Sequence, residues 1–174
     1  MKRNSSLQAY SGFQIFSLTV MQVLIGWHFL FEGLSKLFAN PGWSAKSYLM
    51  GSVGPFSTIF HKMAESVPVL RFVDLANVWG LILIGAGLFA GLFSQTAKIC
   101  GIALLLLYYM AYPPFVSLIT NIPVEGSYWI VNKTLIEMAA LFVLFLFPVS
   151  HISGLDRFIR SGSETLKQEE GVKD

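Results

Sequence analysis

The sequence is poor in charge and nearly devoid of cysteine. Of 174 residues, only 13% are charged, where a soluble domain carries about 25%. That deficit argues against a soluble globular domain. A formal net charge of +2 excludes the basic face that nucleic acid requires. Cys100 is the only cysteine, which excludes a disulfide scaffold and every C-x-x-C or iron–sulfur spacing. His28, His61 and His151 are the only histidines, and they are scattered, so no metal site and no facing pair of haem ligands is expected. Neither a nucleotide-binding glycine loop nor a G-x-S-x-G elbow is present. Redox chemistry on this chain would have to pass through a mobile carrier or a partner subunit.

What is abundant is apolar. Hydrophobic residues make up 54% of the chain, too many for disorder, and the length fits one domain. Four apolar stretches fall at about 13–38, 72–93, 97–118 and 129–148. Each is near the roughly 20 residues that a helix needs to cross a bilayer core of about 30 Å. None alternates as a barrel strand does, and lipid offers backbone groups no partners, so helices are expected. The first stretch holds Glu32 and Lys36 and lacks a small-x-small cleavage site, so it reads as an uncleaved span rather than a signal peptide. The expected fold is all-α: a four-helix transmembrane bundle over residues 13–150, with a cytoplasmic N-terminal segment (1–12) and a cytoplasmic polar tail (151–174).

Four spans put both termini on one side. That side holds Lys2, Arg3, Lys98, Arg157, Arg160, Lys167 and Lys173; the other holds Lys46, Lys62 and Arg71. The bias predicts cytoplasmic termini. The connection between spans one and two then lies outside. Within it, Phe56, Ile59, Phe60, Met63, Ala64 and Val67 share one helical face, while Ser57, Thr58, His61, Lys62, Glu65 and Ser66 fill the other. This predicts an amphipathic extracytoplasmic helix over 56–67, between Pro55 and Pro68, lying at the interface or capping the bundle. Asn40-Pro41-Gly42-Trp43 and Gly51 to Pro55 read as turns.

Ionisable groups in hydrocarbon are costly and mark function by default. Span one carries His28, Glu32 and Lys36 at i, i+4 and i+8. Span two carries Asp74, Asn77 and Trp79; span three carries Tyr108, Tyr109 and Tyr112; span four carries Asn132, Lys133 and Glu137. At about 1.5 Å per residue, Glu32 lies roughly 9 Å, and Glu137 roughly 12 Å, below the outer surface. Asn77 and the tyrosines fall at a similar level, while the inner halves are almost purely apolar. The candidate catalytic residues are therefore Glu32, Lys36 and Glu137. The candidate ligand-binding residues are His28, Asn77, Trp79, Tyr108, Tyr109, Asn132 and Lys133. The spacing also allows Glu32–Lys36 and Lys133–Glu137 pairs on single helices. Trp43, Tyr128 and Trp129 suit an aromatic belt. Gly26 and Gly33 share a face suited to helix packing, and Gly87 and Gly91 form a G-x-x-x-G pattern.

The run Gly26-Trp27-His28-Phe29-Leu30-Phe31-Glu32-Gly33-Leu34-Ser35-Lys36 resembles the first-helix signature of the DoxX family, G-x-x-F-x-x-x-G-x-x-K. Gly26, Phe29, Gly33 and Lys36 fill it. The fuller run looks like the DoxD branch, the small membrane subunit of thiosulfate:quinone oxidoreductase. Trp79 to Leu88 is similar to the family's second-helix segment. The resemblance implies a four-helix protein of the bacterial inner membrane, often paired with a redox subunit, with quinone as a candidate cofactor. On that reading Lys36 or Lys133 donates to a quinone carbonyl, Glu32 or Glu137 exchanges protons, Asn77 and Asn132 orient the ligand, and the tyrosines wall the pocket. A non-catalytic anchor for an extracytoplasmic enzyme is the alternative. A small-solute transporter is the weakest reading, because no polar track crosses the inner halves. The partners expected are lipid, quinone, and a partner subunit or a second copy.

Overall fold

A computed structural model describes residues 10–39, 42–115 and 127–149. The tail at 151–174, the charges near the N-terminus, the turn at Asn40-Pro41 and the end of span three lie outside the described residues. Among the described residues, six helices and one short hairpin follow in order: α1 (Gly12–Leu37), α2 (Lys46–Met50), α3 (Ser57–Glu65), α4 (Val67–Ala90), α5 (Ser94–Ala111), β1 (Ser127–Tyr128), β2 (Val131–Asn132) and α6 (Lys133–Leu146).

Three of these helices, α1, α4 and α5, are long and apolar enough to cross a membrane. Their outer faces carry large apolar side chains: Leu24 is 63% exposed, Phe72 71% and Leu83 67%. Apolar surface on this scale suits lipid and not water, consistent with a multi-pass membrane protein. The fourth expected span is shorter than its apolar run. With 14 residues, α6 reaches about 21 Å, less than the bilayer core. Trp129 and Ile130 form the turn of an antiparallel hairpin pairing Ser127 with Asn132 and Tyr128 with Val131. Trp129 takes a left-handed conformation, φ 58°. Asn132 then caps α6, its side chain accepting from the Leu135 N–H at 2.9 Å. Asparagine is among the best N-caps, so the helix begins at Lys133 although the apolar run begins earlier.

The other boundaries have local causes. Ser11 and Gln14 form a reciprocal capping box that starts α1 within one residue of the expected position. The interfacial segment expected over 56–67 is helical only to Glu65. Pro68 does not bound it but sits in the first turn of α4, where its missing N–H costs nothing. Span two therefore starts at Val67 rather than Phe72. Gly91, in the left-handed region at φ 64°, ends α4 before Phe93. α5 consequently begins at Ser94, and Pro113-Pro114 follow its end. Lys98, counted above among cytoplasmic-side charges, is fully buried.

α1 packs chiefly on α4, and α5 on α6. The α1–α4 contact is a glycine seam. A Cβ on Gly26 would lie 2.6 Å from the Phe89 nitrogen, and one on Gly33 2.8 Å from the Ile82 nitrogen. A Cβ on Gly85 would collide with the Leu30 backbone. The seam thus uses Gly85, while Gly91 of the G-x-x-x-G pattern serves as a helix stop. Ile25, Phe29, Leu81, Ile84, Leu88, Leu105, Leu141 and Leu144 fill the main core. A second, smaller core forms at one end, where Ala45, Leu49, Phe60, Ala64 and Ala111 bring α2 and α3 against the ends of α4 and α5. This cap is fastened by Val53, whose N–H donates to the Ala111 carbonyl at 3.3 Å, and by Gly54, where a Cβ would lie 2.6 Å from the Met110 oxygen.

Candidate functional site

Beneath the cap is a cavity of about 650 Å³. Its floor and walls come from the C-terminal parts of α1 and α5 and the N-terminal parts of α4 and α6; α2 and α3 close it from above. Because antiparallel neighbours bring these ends together, polar residues far apart in sequence meet at one level. His28, Glu32, Lys36, Asn77, Tyr108, Lys133 and Glu137 all border the cavity. Trp79, Tyr109 and Asn132 do not. Trp79 is 47% exposed on the outside of α4. The Tyr109 hydroxyl donates to the Ile130 carbonyl at 2.8 Å and so ties the hairpin to α5. Asn132 is occupied as the cap of α6.

Lys36 is the most constrained of the candidates. Its ammonium donates to Asn77 Oδ1 at 3.2 Å, and Asn77 Nδ2 donates to the Tyr108 hydroxyl at 2.6 Å. One chain of bonds thereby joins α1, α4 and α5. Glu32 Oε2 lies 3.8 Å from the ammonium, at the i, i+4 spacing expected. Trp43 faces it at 4.8 Å from the ring centroid and Tyr108 at 5.7 Å, both within cation–π reach. Trp43, expected in an aromatic belt, is thus part of the site wall. The Lys36 side chain is 17% exposed and that of Glu32 48%, so the lysine is anchored while the carboxylate faces open space.

The second cluster joins α1 to α6. His28 Nδ1 lies 2.7 Å from Glu137 Oε1, the distance of a charge-assisted hydrogen bond. Among the described residues Glu137 forms its ion pair with this histidine on α1 and not with Lys133 on its own helix. Spacing within one sequence segment reveals neighbours along a helix but not partners across helices.

The remaining lining is apolar and was largely hidden from sequence reasoning. Phe60 and Met63 of α3, Phe72 of α4 and Leu104 of α5 contribute to it. The apolar face of 56–67 signalled burial but not what would lie beneath. Tyr48 had no signal. Its hydroxyl donates to the Tyr108 carbonyl at 3.4 Å, its carbonyl accepts from the Tyr112 hydroxyl at 2.8 Å, and its ring lies 4.6 Å from that of Tyr112. Desolvation first, and then the neighbouring phenols of Tyr108 and Tyr112, hold the Tyr48 hydroxyl above the ordinary phenol range. Asp74 accepts from the Ala45 N–H at 2.7 Å and pins the start of α2 to α4. Among the described residues no cluster of three or more His, Cys, Asp or Glu side chains forms a metal-binding group.

Comparison with protein-family models, with curated proteins and with solved structures finds no match to this chain. The site must therefore be read from its own chemistry.

Proposed function

We propose that the chain is a DoxX-like integral membrane subunit of a quinone-linked oxidoreductase, and that the capped cavity receives the quinone head group. In this reading the apolar run at about 129–148, which contains α6, is a fourth span, both termini face the cytoplasm, and the protein resides in a bacterial inner membrane. The α2–α3 cap then lies on the extracytoplasmic side. One observation carries the reading: a cavity of about 650 Å³ with apolar walls and a few converging polar groups, the usual make-up of a small-molecule site. Three of those groups, His28, Glu32 and Lys36, belong to the segment that resembles the family signature.

The residues present fit a quinone. Its ring suits the wall of Phe60, Met63, Phe72 and Leu104. Lys36 carries a fixed ammonium. Tyr108 receives a hydrogen bond from Asn77, which leaves its own O–H to donate. A bound quinone would supply an acceptor for two electrons and two protons, the electrons coming from a redox partner subunit. Within this chain, Lys36 and Tyr108 orient carbonyl oxygens. Glu32 places a carboxylate on the cavity side, where it can exchange a proton with the head group. The His28–Glu137 pair holds a proton at the α1–α6 boundary.

The test is titration of the purified chain in nanodiscs with decylubiquinone and a menaquinone analogue, followed by quenching of tryptophan fluorescence, since Trp43 lines the cavity. Saturable quenching that weakens in Lys36→Met supports the reading; no binding of either quinone by well-folded protein defeats it. A second reading has its own observation. Lys36, Asn77, Tyr108, His28 and Glu137 are all paired within the protein, as they would be in an anchor subunit whose buried charges set helix register. That reading expects a partner enzyme to remain active with Glu32→Gln and Lys36→Met, provided assembly survives.

A further inference from the structure

A second hollow of about 610 Å³ runs along the outside of the bundle between α1 and α6. Phe16, Val20, Leu24 and Ile25 form one wall, and Ile136 and Ala140 the other. From Phe16 to Ile25 it extends roughly 14 Å along α1. Its end is defined by Lys133 and Glu137, and both of these residues also line the capped cavity. The two hollows therefore adjoin at the first turns of α6. The His28–Glu137 hydrogen bond spans the same boundary, from α1 to α6. The seam is loose because the close glycine packing of α1 is spent on α4, leaving α6 in lighter contact.

We infer that this groove holds the single apolar tail of an amphiphile whose head occupies the capped cavity, and that such a ligand reaches the cavity sideways from the bilayer past His28 and Glu137. The argument is that the two hollows share boundary residues, Lys133 and Glu137, with opposed chemistry on the two sides. The polar groups are gathered in the cavity. Apart from Ser17 at its far end the groove is apolar along its length, and only its cavity end is charged. A two-tailed lipid would leave one chain without a groove, whereas a one-tailed ligand fits both hollows. The inference rests on the cavity being a head-group site, as proposed above.

The experiment compares decylubiquinone with its tailless ring, 2,3-dimethoxy-5-methylbenzoquinone, on the full chain in nanodiscs. Ala140→Trp fills the groove. Val20→Trp, from the facing wall, serves if Ala140→Trp does not fold. Leu83→Trp, on the outer face of α4, is the control. The expected result is a loss of at least about tenfold in affinity for decylubiquinone, with the tailless ring within about twofold of wild type and Leu83→Trp without effect. Equal losses for both probes, or no loss, overturn the groove. If wild type binds neither probe, the quinone reading fails by itself, and the groove is decided by native mass spectrometry of protein extracted in mild detergent. A one-tailed amphiphile retained by wild type and lost in Ala140→Trp supports it. Equal retention, or none in either, overturns it.

Discussion

The two ends of this bundle are made by the same helices and behave as opposites. At the end holding Gly26, Ile84, Leu88, Leu141 and Leu144, small residues let backbones touch and branched side chains fill what remains. Even the polar Gln22 is buried there, its amide donating to the Leu88 carbonyl at 2.9 Å. At the other end, Lys36, Trp43, Tyr48 and Tyr108 hold the elements apart, and a separate cap is needed to cover the gap. Close packing stabilises the first end. The second end gives up that packing for space lined with hydrogen-bonding groups. Polar groups in an apolar interior require partners, and here the partners come from different helices. The cavity is thus framed by bonds between helices more than by contacts along them.

The comparison breaks most easily at the glycine seam. Gly85→Val sets side-chain carbons against the Leu30 backbone and should destabilise the protein by about 3 kcal/mol or more, read as a fall in the thermal midpoint in detergent. At the cavity end the balance should reverse. Lys36→Met removes the donor to Asn77 and should lower stability by only about 1 kcal/mol, while quinone affinity falls about tenfold or more. A variant that loses stability and binding in the same proportion would erase the distinction between the ends. Asn132→Ala sharpens it further. Removing the α6 cap should cost about 1 kcal/mol of stability and leave quinone affinity unchanged; a selective loss of binding would return Asn132 to the site. The smallest effect is in the cap. Tyr48 should resist ionisation as pH passes the ordinary phenol range, because desolvation first, and then the neighbouring phenols of Tyr108 and Tyr112, disfavour its charged form. Its folded-state value is raised, so its contribution to cap stability is complete below that range and is lost as pH rises through the folded value. Absorbance at alkaline pH, compared between wild type and Tyr48→Phe, checks this.

Much of the candidate site was legible in sequence, and its omissions are instructive. His28, Glu32 and Lys36 stand out because charge is rare in an apolar helix, and Asn77 and Glu137 follow from comparing depths. Asn132 stood out equally yet serves as a helix cap, because a polar residue at the edge of an apolar run has two uses that composition does not separate. Tyr109 and Trp79 were placed by helix and level alone, and neither determines which way a side chain turns around the helix axis. Trp43 and Tyr48 lie in the part of the connection before the periodic segment 56–67, so nothing local tied them to Lys36.

The sequence by itself determined the class of the protein and the level of its polar groups. Low charge and long apolar helices require a lipid-like surrounding, and rise per residue converts position into depth. Only the tertiary structure decided who partners whom. Gly85 rather than Gly91 takes the close helix contact, Glu137 meets His28 rather than Lys133, and Pro68 opens a helix rather than bounding one. Each outcome depends on which faces of distant helices meet, and that choice minimises unfilled space and unpaired polar groups over the whole bundle at once. No single segment carries that information.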